Sequence, residues 1–173
     1  MTARATSTVD ALYDPSRDAA RLYQEGMIAG VIGAATVAVW FLLLDTAAGR
    51  PLYTPTVLGS ALFRPGALAS PETLSVSLEM VGMFTWVHML VFAALGGLAS
   101  RLLGMVERNP SWGFGLLLFA VVFEFGFLAA ALVFAAPVLR LIAWPSVFVA
   151  NLLAAGTMSA YFWWRHPRLI VRP

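Results

Sequence analysis

The feature that most constrains the fold is a set of four apolar segments, each long enough to cross a lipid bilayer as a helix. A transmembrane helix needs roughly 20 consecutive, mainly apolar residues. Four stretches of the chain meet this requirement, at about residues 27–47, 78–103, 111–136 and 145–164. Charged residues make up only 12% of the sequence, about half the share in a typical soluble domain. The sequence therefore predicts an all-α integral membrane protein with four transmembrane helices in an antiparallel bundle.

The four spans and their connections are predicted to form one domain with short polar tails. A cytoplasmic N-terminal tail with a short helix, the four-helix domain and a cytoplasmic C-terminal tail are expected at residues 1–26, 27–164 and 165–173. Asp14 followed by Pro15 is typical of a helix start. Arg21 and Glu25 then have the i,i+4 spacing of an ion pair on one helix face. We expect this short helix to run straight into the first span.

The outer loop, residues 48–77, is the longest connection in the chain and contains four prolines. Thr54 followed by Pro55 can begin a short helix that ends near Phe63. Its apolar side chains would form one stripe, made of Val57, Leu58, Ala61 and Leu62. The pattern predicts a short helix that lies at the membrane interface.

Two further features at the edges of this loop give local predictions. Asp45 lies just before the loop and could pair with Arg50. The segment Ser70-Pro71-Glu72 repeats the cap-plus-proline pattern of a helix start. The helix of the second span is therefore predicted to open there and to extend beyond the outer membrane surface.

The distribution of arginine predicts that both termini are cytoplasmic. The side of the termini would carry Arg4, Arg17, Arg21, Arg101, Arg108, Arg165, Arg168 and Arg172, and the other side Arg50, Arg64 and Arg140. An excess of positive charge marks the cytoplasmic side. Tryptophans near the span ends are expected to anchor the bundle at the two interfaces; these are Trp40, Trp112, Trp144, Trp163 and Trp164. The predicted location is the bacterial cytoplasmic (inner) membrane, as a multi-pass protein.

Three strongly polar side chains fall inside the predicted spans: His88, Glu124 and Asn151. Such residues are costly in hydrocarbon and usually face the bundle interior, where they find a partner. One interpretation is that they form hydrogen bonds that hold helices together. The other is a site that carries a proton or binds a ligand.

Small residues recur every four positions along the first helix, at Gly26, Gly30, Ala34 and Ala38. Such a stripe lets another helix backbone approach closely. We expect the first helix to pack against a neighbour on this face, either within the bundle or in a dimer.

The chain offers little material for cofactor or catalytic chemistry. It contains no cysteine and only two histidines, of which His166 lies among the arginines after the last span. No catalytic triad, zinc spacing or phosphate-binding loop can be assembled, so we predict neither an enzyme nor a metal site. No cofactor is predicted, although haem and quinone stay open as alternatives. The arginines are scattered, which argues against nucleic acid as a partner.

The leading functional expectation is a small accessory or scaffold subunit of a larger bacterial membrane complex, with a lipid- or quinone-facing surface. Its partners would be the lipid bilayer and either other membrane subunits or a second copy of the chain. One alternative is a proton-coupled carrier or channel that uses Glu124 and His88. A further alternative is a membrane redox protein that binds haem or quinone.

Overall fold

The computed structural model describes three stretches of the chain and six residues between the second and the third. These are residues 15–69, 74–108 and 144–167, with Phe114, Gly115, Leu118, Val121, Val122 and Phe125. The regular elements are α1 (Pro15–Ala47), α2 (Tyr53–Phe63), a 3-10 helix (Pro65–Ala69), α3 (Leu78–Arg108) and α4 (Trp144–Arg165). All regular structure in this described part of the chain is helical.

Three of these helices are long and apolar enough to cross a membrane, over Ala20–Ala47, Leu78–Val106 and Pro145–Arg165. They contain the first, second and fourth predicted spans. The third predicted span, residues 111–136, lies mostly outside the described residues, and the six of its residues that are described are helical. The fold is therefore that of an all-helical protein with three candidate membrane-spanning helices in its described part.

The start of α3 differs from the sequence-based prediction. Ser70, Pro71 and Glu72 lie outside the described residues, but residues 74–77 are not helical and α3 begins at Leu78. The prediction of a continuous helix from Ser70 is therefore wrong. Ser77 explains the later start, because its hydroxyl accepts a hydrogen bond from the Met80 backbone N–H at 3.4 Å, as an N-cap residue does.

α1 lies at the centre of the described bundle and runs antiparallel to both α3 and α4. Its contact with α3 is a backbone-to-backbone contact, made possible by glycine on both sides. A Cβ added at Gly26 would lie 2.6 Å from the carbonyl oxygen of Gly96, and one at Gly30 would overlap the carbonyl of Phe92. No side chain of any size fits between the two helices at this level.

The contact between α1 and α4 uses hydrogen bonds at several levels. The Trp40 indole N–H donates to the Ser146 carbonyl at 3.0 Å. The hydroxyls of Thr36 and Thr157 lie 3.1 Å apart. Such bonds fix the register of two helices whose contact surface is otherwise apolar.

The short helix α2 packs against the start of α3 mainly through small and polar residues. Its buried residues include Thr56, Val57, Gly59 and Ser60, whereas Leu62 is 57% exposed. A Cβ at Gly59 would lie in contact with the Met80 backbone. Of the predicted apolar stripe, Val57 is buried, Leu58 and Ala61 pack in the same cluster, and only Leu62 is exposed; the interfacial position of α2 stays a prediction. Small residues lie against α3 because they allow close approach, and the leucine at the end of the helix points outwards.

The turn between α1 and α2 is closed by Asp45. Both carboxylate oxygens of this buried residue accept hydrogen bonds from Thr54, one from its backbone N–H and one from its hydroxyl, each at 2.7 Å. The backbone reverses at Gly49 and Leu52, which have φ values of +72° and +64°. Asp45 thus supplies the cap that the first turn of α2 needs, from the preceding helix.

We expect Asp45→Ala to lower the free energy of unfolding by about 1–2 kcal/mol, because the first turn of α2 loses its cap. Equilibrium unfolding by dodecyl sulphate, followed by circular dichroism, measures this change. Thr46→Ala is the control: the Thr46 side chain is exposed and bonds only to the Leu42 carbonyl of its own helix. An equal loss in both variants would contradict the assigned cap.

Candidate functional site

His88 lies on α3 in the interface with α1. Its Nε2 is 3.3 Å from the Ala34 carbonyl oxygen. The ring also stacks on Phe84 at 5.5 Å between centroids and lies tilted against Phe92 at 4.7 Å. The side chain is thus placed between two aromatic rings of its own helix and the backbone of the next one. This geometry is that of an interhelical hydrogen bond.

Asn151 lies on α4, between the Trp40–Ser146 and Thr36–Thr157 contacts along the same helix pair. Its amide nitrogen Nδ2 is buried and has no hydrogen-bond partner among the described residues. Glu124 lies outside the described residues. Of the three residues predicted to form a polar site, His88 and Asn151 are described. The structure shows no hydrogen bond between them.

We expect Asn151→Leu to raise the free energy of unfolding of the isolated chain by about 1 kcal/mol. The reason is that the buried Asn151 amide has no partner among the described residues; an unpaired buried donor costs stability, and an apolar side chain of similar size avoids this cost. Unfolding in dodecyl sulphate again supplies the measurement. Thr157→Val, which removes a satisfied bond to Thr36, is expected to lower it by roughly 0.6 kcal/mol. Destabilisation by Asn151→Leu would show that the amide has a partner in the folded protein.

The small residues of α1 have different surroundings. Gly26 and Gly30 face the backbone of α3. Ala34 is buried, and its carbonyl oxygen forms the hydrogen bond with His88. Ala38 is exposed. The close contact is therefore made by the first three positions of the stripe, all within the described bundle.

The tryptophans predicted as interface anchors also differ from one another. Trp163 and Trp164 are largely exposed at the end of α4. Trp40 is half-buried and bonded to Ser146 on α4, so it ties two helices together. Trp144 is the first residue of α4, and Trp112 lies outside the described residues.

Sequence reasoning missed the most connected polar group of the described chain, the carboxylate of Glu25. We name this group the Glu25 cluster; it consists of Arg21, Glu25, Arg165 and His166. Arg165 donates from Nη2 to Glu25 Oε1 at 2.7 Å, and Arg21 donates from Nε to the same oxygen at 3.3 Å. His166 Nε2 lies 2.9 Å from Oε2. Glu25 itself is only 4% exposed.

The sequence contains a partial signal for this cluster. The i,i+4 spacing of Arg21 and Glu25 predicts their pairing, and the structure shows it. Arg165 and His166 lie 140 and 141 residues away from Glu25 along the chain. Their contact depends on the antiparallel packing of α1 and α4, which brings the end of α4 beside the start of α1. Charge pattern within one helix could not reveal it.

At the opposite end of the bundle, the side chains of Arg50 and Arg64 have partners other than the Asp45 carboxylate. The Arg50 guanidinium lies over the Tyr53 ring, 4.1 Å from its centroid. The predicted ion pair between the side chains of Asp45 and Arg50 does not form, since the Asp45 carboxylate accepts hydrogen bonds from Thr54; the two residues are joined instead through the backbone, where the Arg50 N–H donates to the Asp45 carbonyl at 2.8 Å. Arg64 donates from Nη2 to both carboxylate oxygens of Glu79 at 3.0 Å, which links the end of α2 to the start of α3.

The geometry of the two histidines bears on a haem or metal site. His88 lies opposite Ala34 of α1, and His166 lies opposite Glu25. Nine residues of helix separate these two levels, roughly 14 Å at 1.5 Å per residue. They are therefore too far apart to act as two axial ligands of one haem within a chain. In the described residues, no group of three or more His, Asp or Glu side chains is arranged to hold a metal ion.

The fold and these contacts define a class: an all-helical protein with three helices able to cross a membrane, joined by buried polar contacts between helices. Comparison with protein-family models, with curated proteins and with solved structures gives no match.

Proposed function

We propose that the chain is a small accessory or scaffold subunit of a larger complex in the bacterial cytoplasmic membrane. The observation that carries this proposal is the contrast between the inside and the outside of the bundle. Described polar side chains such as His88, Glu25 and Asp45 are occupied by contacts within the chain. The outward faces of the long helices are apolar and open, as a surface for lipid or for another subunit requires.

The packing of α4 leaves an apolar surface that no described element covers. It is the least buried of the three long helices, and its main contact among the described elements is with α1. Leu152 and Phe148 face outwards on this helix. Among the described elements α4 has one main neighbour, so much of its surface is available to lipid, to the predicted third span of this chain or to a partner subunit.

The exposed side chain of Trp86 favours a protein, rather than lipid, as the partner of this surface. It is 68% exposed on α3, eight residues after the helix begins at Leu78, or about 12 Å along its axis. Exposed tryptophan is enriched among the residues that dominate binding energy at protein interfaces. Trp163, by contrast, lies at the end of α4, where tryptophan serves as an anchor at the bilayer surface.

The arginine distribution supports an orientation with both termini in the cytoplasm. Arg21, Arg101 and Arg165 lie at the Glu25 end of the bundle. Arg64 at the other end is paired with Glu79, and Arg50 lies over Tyr53. The excess of positive charge thus lies at the end where α1 begins and α4 ends, which the positive-inside rule assigns to the cytoplasm.

The proposal is tested by purifying the tagged chain from its native membrane in a mild detergent, through two different chromatographic steps. We expect a particle that contains at least one other integral membrane protein at a fixed ratio to this chain in both steps. A homogeneous particle of this chain alone would refute the proposal.

Matched tryptophan variants refine this test. Trp86→Ala is expected to lower the ratio of partner to chain, because it removes an exposed aromatic side chain within the span. Trp163→Ala, at the end of α4, should leave the ratio unchanged. If the ratio of partner to chain is the same in both variants and in the unmodified chain, Trp86 is not part of the docking surface.

A further inference from the structure

The short helix α2 covers one end of the bundle, where α3 and α4 begin. Its Val57 side chain is fully buried and packs against Phe41 near the end of α1 and Val147 near the start of α4. Its Gly59 lies against the Met80 backbone near the start of α3. One short element therefore contacts all three long helices at the same end.

The surface that α2 buries is mostly small or polar. Within α2, which is described in full, Val57 is the only buried residue with a large apolar side chain; the others are Thr54, Thr56, Gly59 and Ser60. Threonine and serine hydroxyls can bond to water when they are exposed, so separating this surface from the bundle costs less than separating an apolar one. Elements with few buried apolar contacts can open locally, without unfolding of the whole protein.

Both ends of α2 are held by a carboxylate from a long helix. At its start, Asp45 of α1 accepts the hydrogen bonds that cap the first turn. At its end, Glu79 of α3 accepts two bonds from Arg64, and both of these side chains are more than half exposed. Exposed ion pairs contribute little to stability. The attachment of α2 therefore rests mainly on Asp45 and on the packing of Val57.

Beneath α2 lies the buried amide nitrogen of Asn151, which has no hydrogen-bond partner among the described residues. Asn151 follows Val147 by four residues, so it lies one helical turn, about 6 Å, deeper in the bundle on the same face of α4. Val147 in turn packs against Val57, and this contact lies between the amide and the end of the bundle. Water that passed this contact would supply the bond that the amide lacks.

We propose that α2 is a lid that hinges at Gly49 and Leu52 and whose opening admits water to the Asn151 amide. Both hinge residues have positive φ and lie in the turn between α1 and α2. Hinges are commonly a few loop residues that absorb a change in φ and ψ. Opening exposes Val57 to water but gives the Asn151 donor a partner, and the gain at Asn151 offsets part of the cost at Val57.

The test measures the rate at which a water-soluble maleimide labels a single cysteine in the purified full chain, which has no cysteine of its own. The reporter is Val57→Cys. The reference is Ser100→Cys, at a position that is equally buried where α3 contacts α1. We expect Val57→Cys to be labelled at least tenfold faster than Ser100→Cys. Equal rates would mean that α2 opens only when the whole bundle unfolds, and would overturn the proposal.

Gly59→Ala in the Val57→Cys chain should hold the lid away from the bundle, because the added Cβ overlaps the Met80 carbonyl. We expect the labelling rate to rise at least tenfold. Gly82→Ala is the matched control: a Cβ there meets no atom within 4 Å, and the rate should stay unchanged. An equal effect of the two substitutions would contradict the lid. Asp45→Ala releases the other attachment and should raise the rate about five- to thirtyfold, which corresponds to about 1–2 kcal/mol for the lost cap.

Asn151→Leu tests whether the lid covers this amide. Leucine gains nothing from water, so labelling of Val57→Cys should become about fivefold slower or more. Thr157→Val is the control, because the Thr157 hydroxyl is already bonded to Thr36, and the rate should stay unchanged. An unchanged rate in Asn151→Leu would overturn the proposed access of water to the amide. These measurements use the isolated chain, so their outcome does not depend on the proposed subunit role.

Discussion

Gly30→Ala is expected to lower the free energy of unfolding by about 3 kcal/mol, one of the largest effects of any single methyl group in this protein. The added Cβ would overlap the Phe92 carbonyl and press on the Ala93 backbone of α3. Backbone atoms of two rigid helices cannot move aside as a flexible side chain can, so the helices must separate. Overpacking of this kind typically costs 1–3 kcal/mol, and the backbone contact places Gly30 at the upper end. Unfolding in dodecyl sulphate, followed by circular dichroism, measures the loss.

Two glycines elsewhere in the bundle provide matched controls for this prediction. A Cβ at Gly82 on α3 or at Gly156 on α4 would meet no atom within 4 Å. Alanine there should stabilise the helix by roughly 0.5–1 kcal/mol, because it reduces the backbone entropy lost on folding. If all three variants shift stability in the same direction, the close contact of α1 with α3 is not what Gly30 provides.

Glu25→Gln is expected to lower the free energy of unfolding by about 2 kcal/mol. The substitution keeps the shape of the side chain but removes the negative charge that Arg21, Arg165 and His166 contact. Hydrogen bonds to a charged group contribute more than neutral ones, roughly 1.5–3 kcal/mol. The expected loss stays moderate because both arginines are partly exposed and can be hydrated.

The control for this second prediction is Glu79→Gln, the same chemical change in an exposed ion pair. Glu79 accepts two bonds from Arg64 at 3.0 Å, but both side chains are more than half exposed. Exposed pairs of this kind contribute about 0–1 kcal/mol. A loss in Glu79→Gln as large as that in Glu25→Gln would show that burial does not distinguish the two carboxylates.

The helices themselves were predictable, because each depends on residues that are close together in the chain. Long apolar runs predicted the first, second and fourth spans, and α4 extends only one residue beyond the predicted 145–164 at either end. The boundaries at loops were less accurate. α3 begins at Leu78 because a local cap, Ser77, takes precedence over a proline pattern several residues earlier.

The contacts between helices could not be predicted to the same degree. The i,i+4 spacing indicated that Arg21 pairs with Glu25, but not that Arg165 and His166 complete the cluster. Asp45 was expected to pair with the nearby Arg50, whereas it caps α2 through Thr54. In each case several partners satisfy the chemistry of the side chain, and only the relative placement of the elements selects one.

Hydropathy and segment length by themselves determined that this chain forms long apolar helices. In hydrocarbon every backbone N–H and C=O group needs a hydrogen-bond partner within the protein, and a helix supplies these partners within one segment. The pattern of small residues also indicated which face of α1 allows close approach. The tertiary structure alone decided that α3 occupies this face at Gly26 and Gly30, and that α4 brings Arg165 to Glu25. The physical reason is range: helix formation follows from neighbouring residues, whereas the pairing of helix faces depends on contacts between residues far apart in the chain.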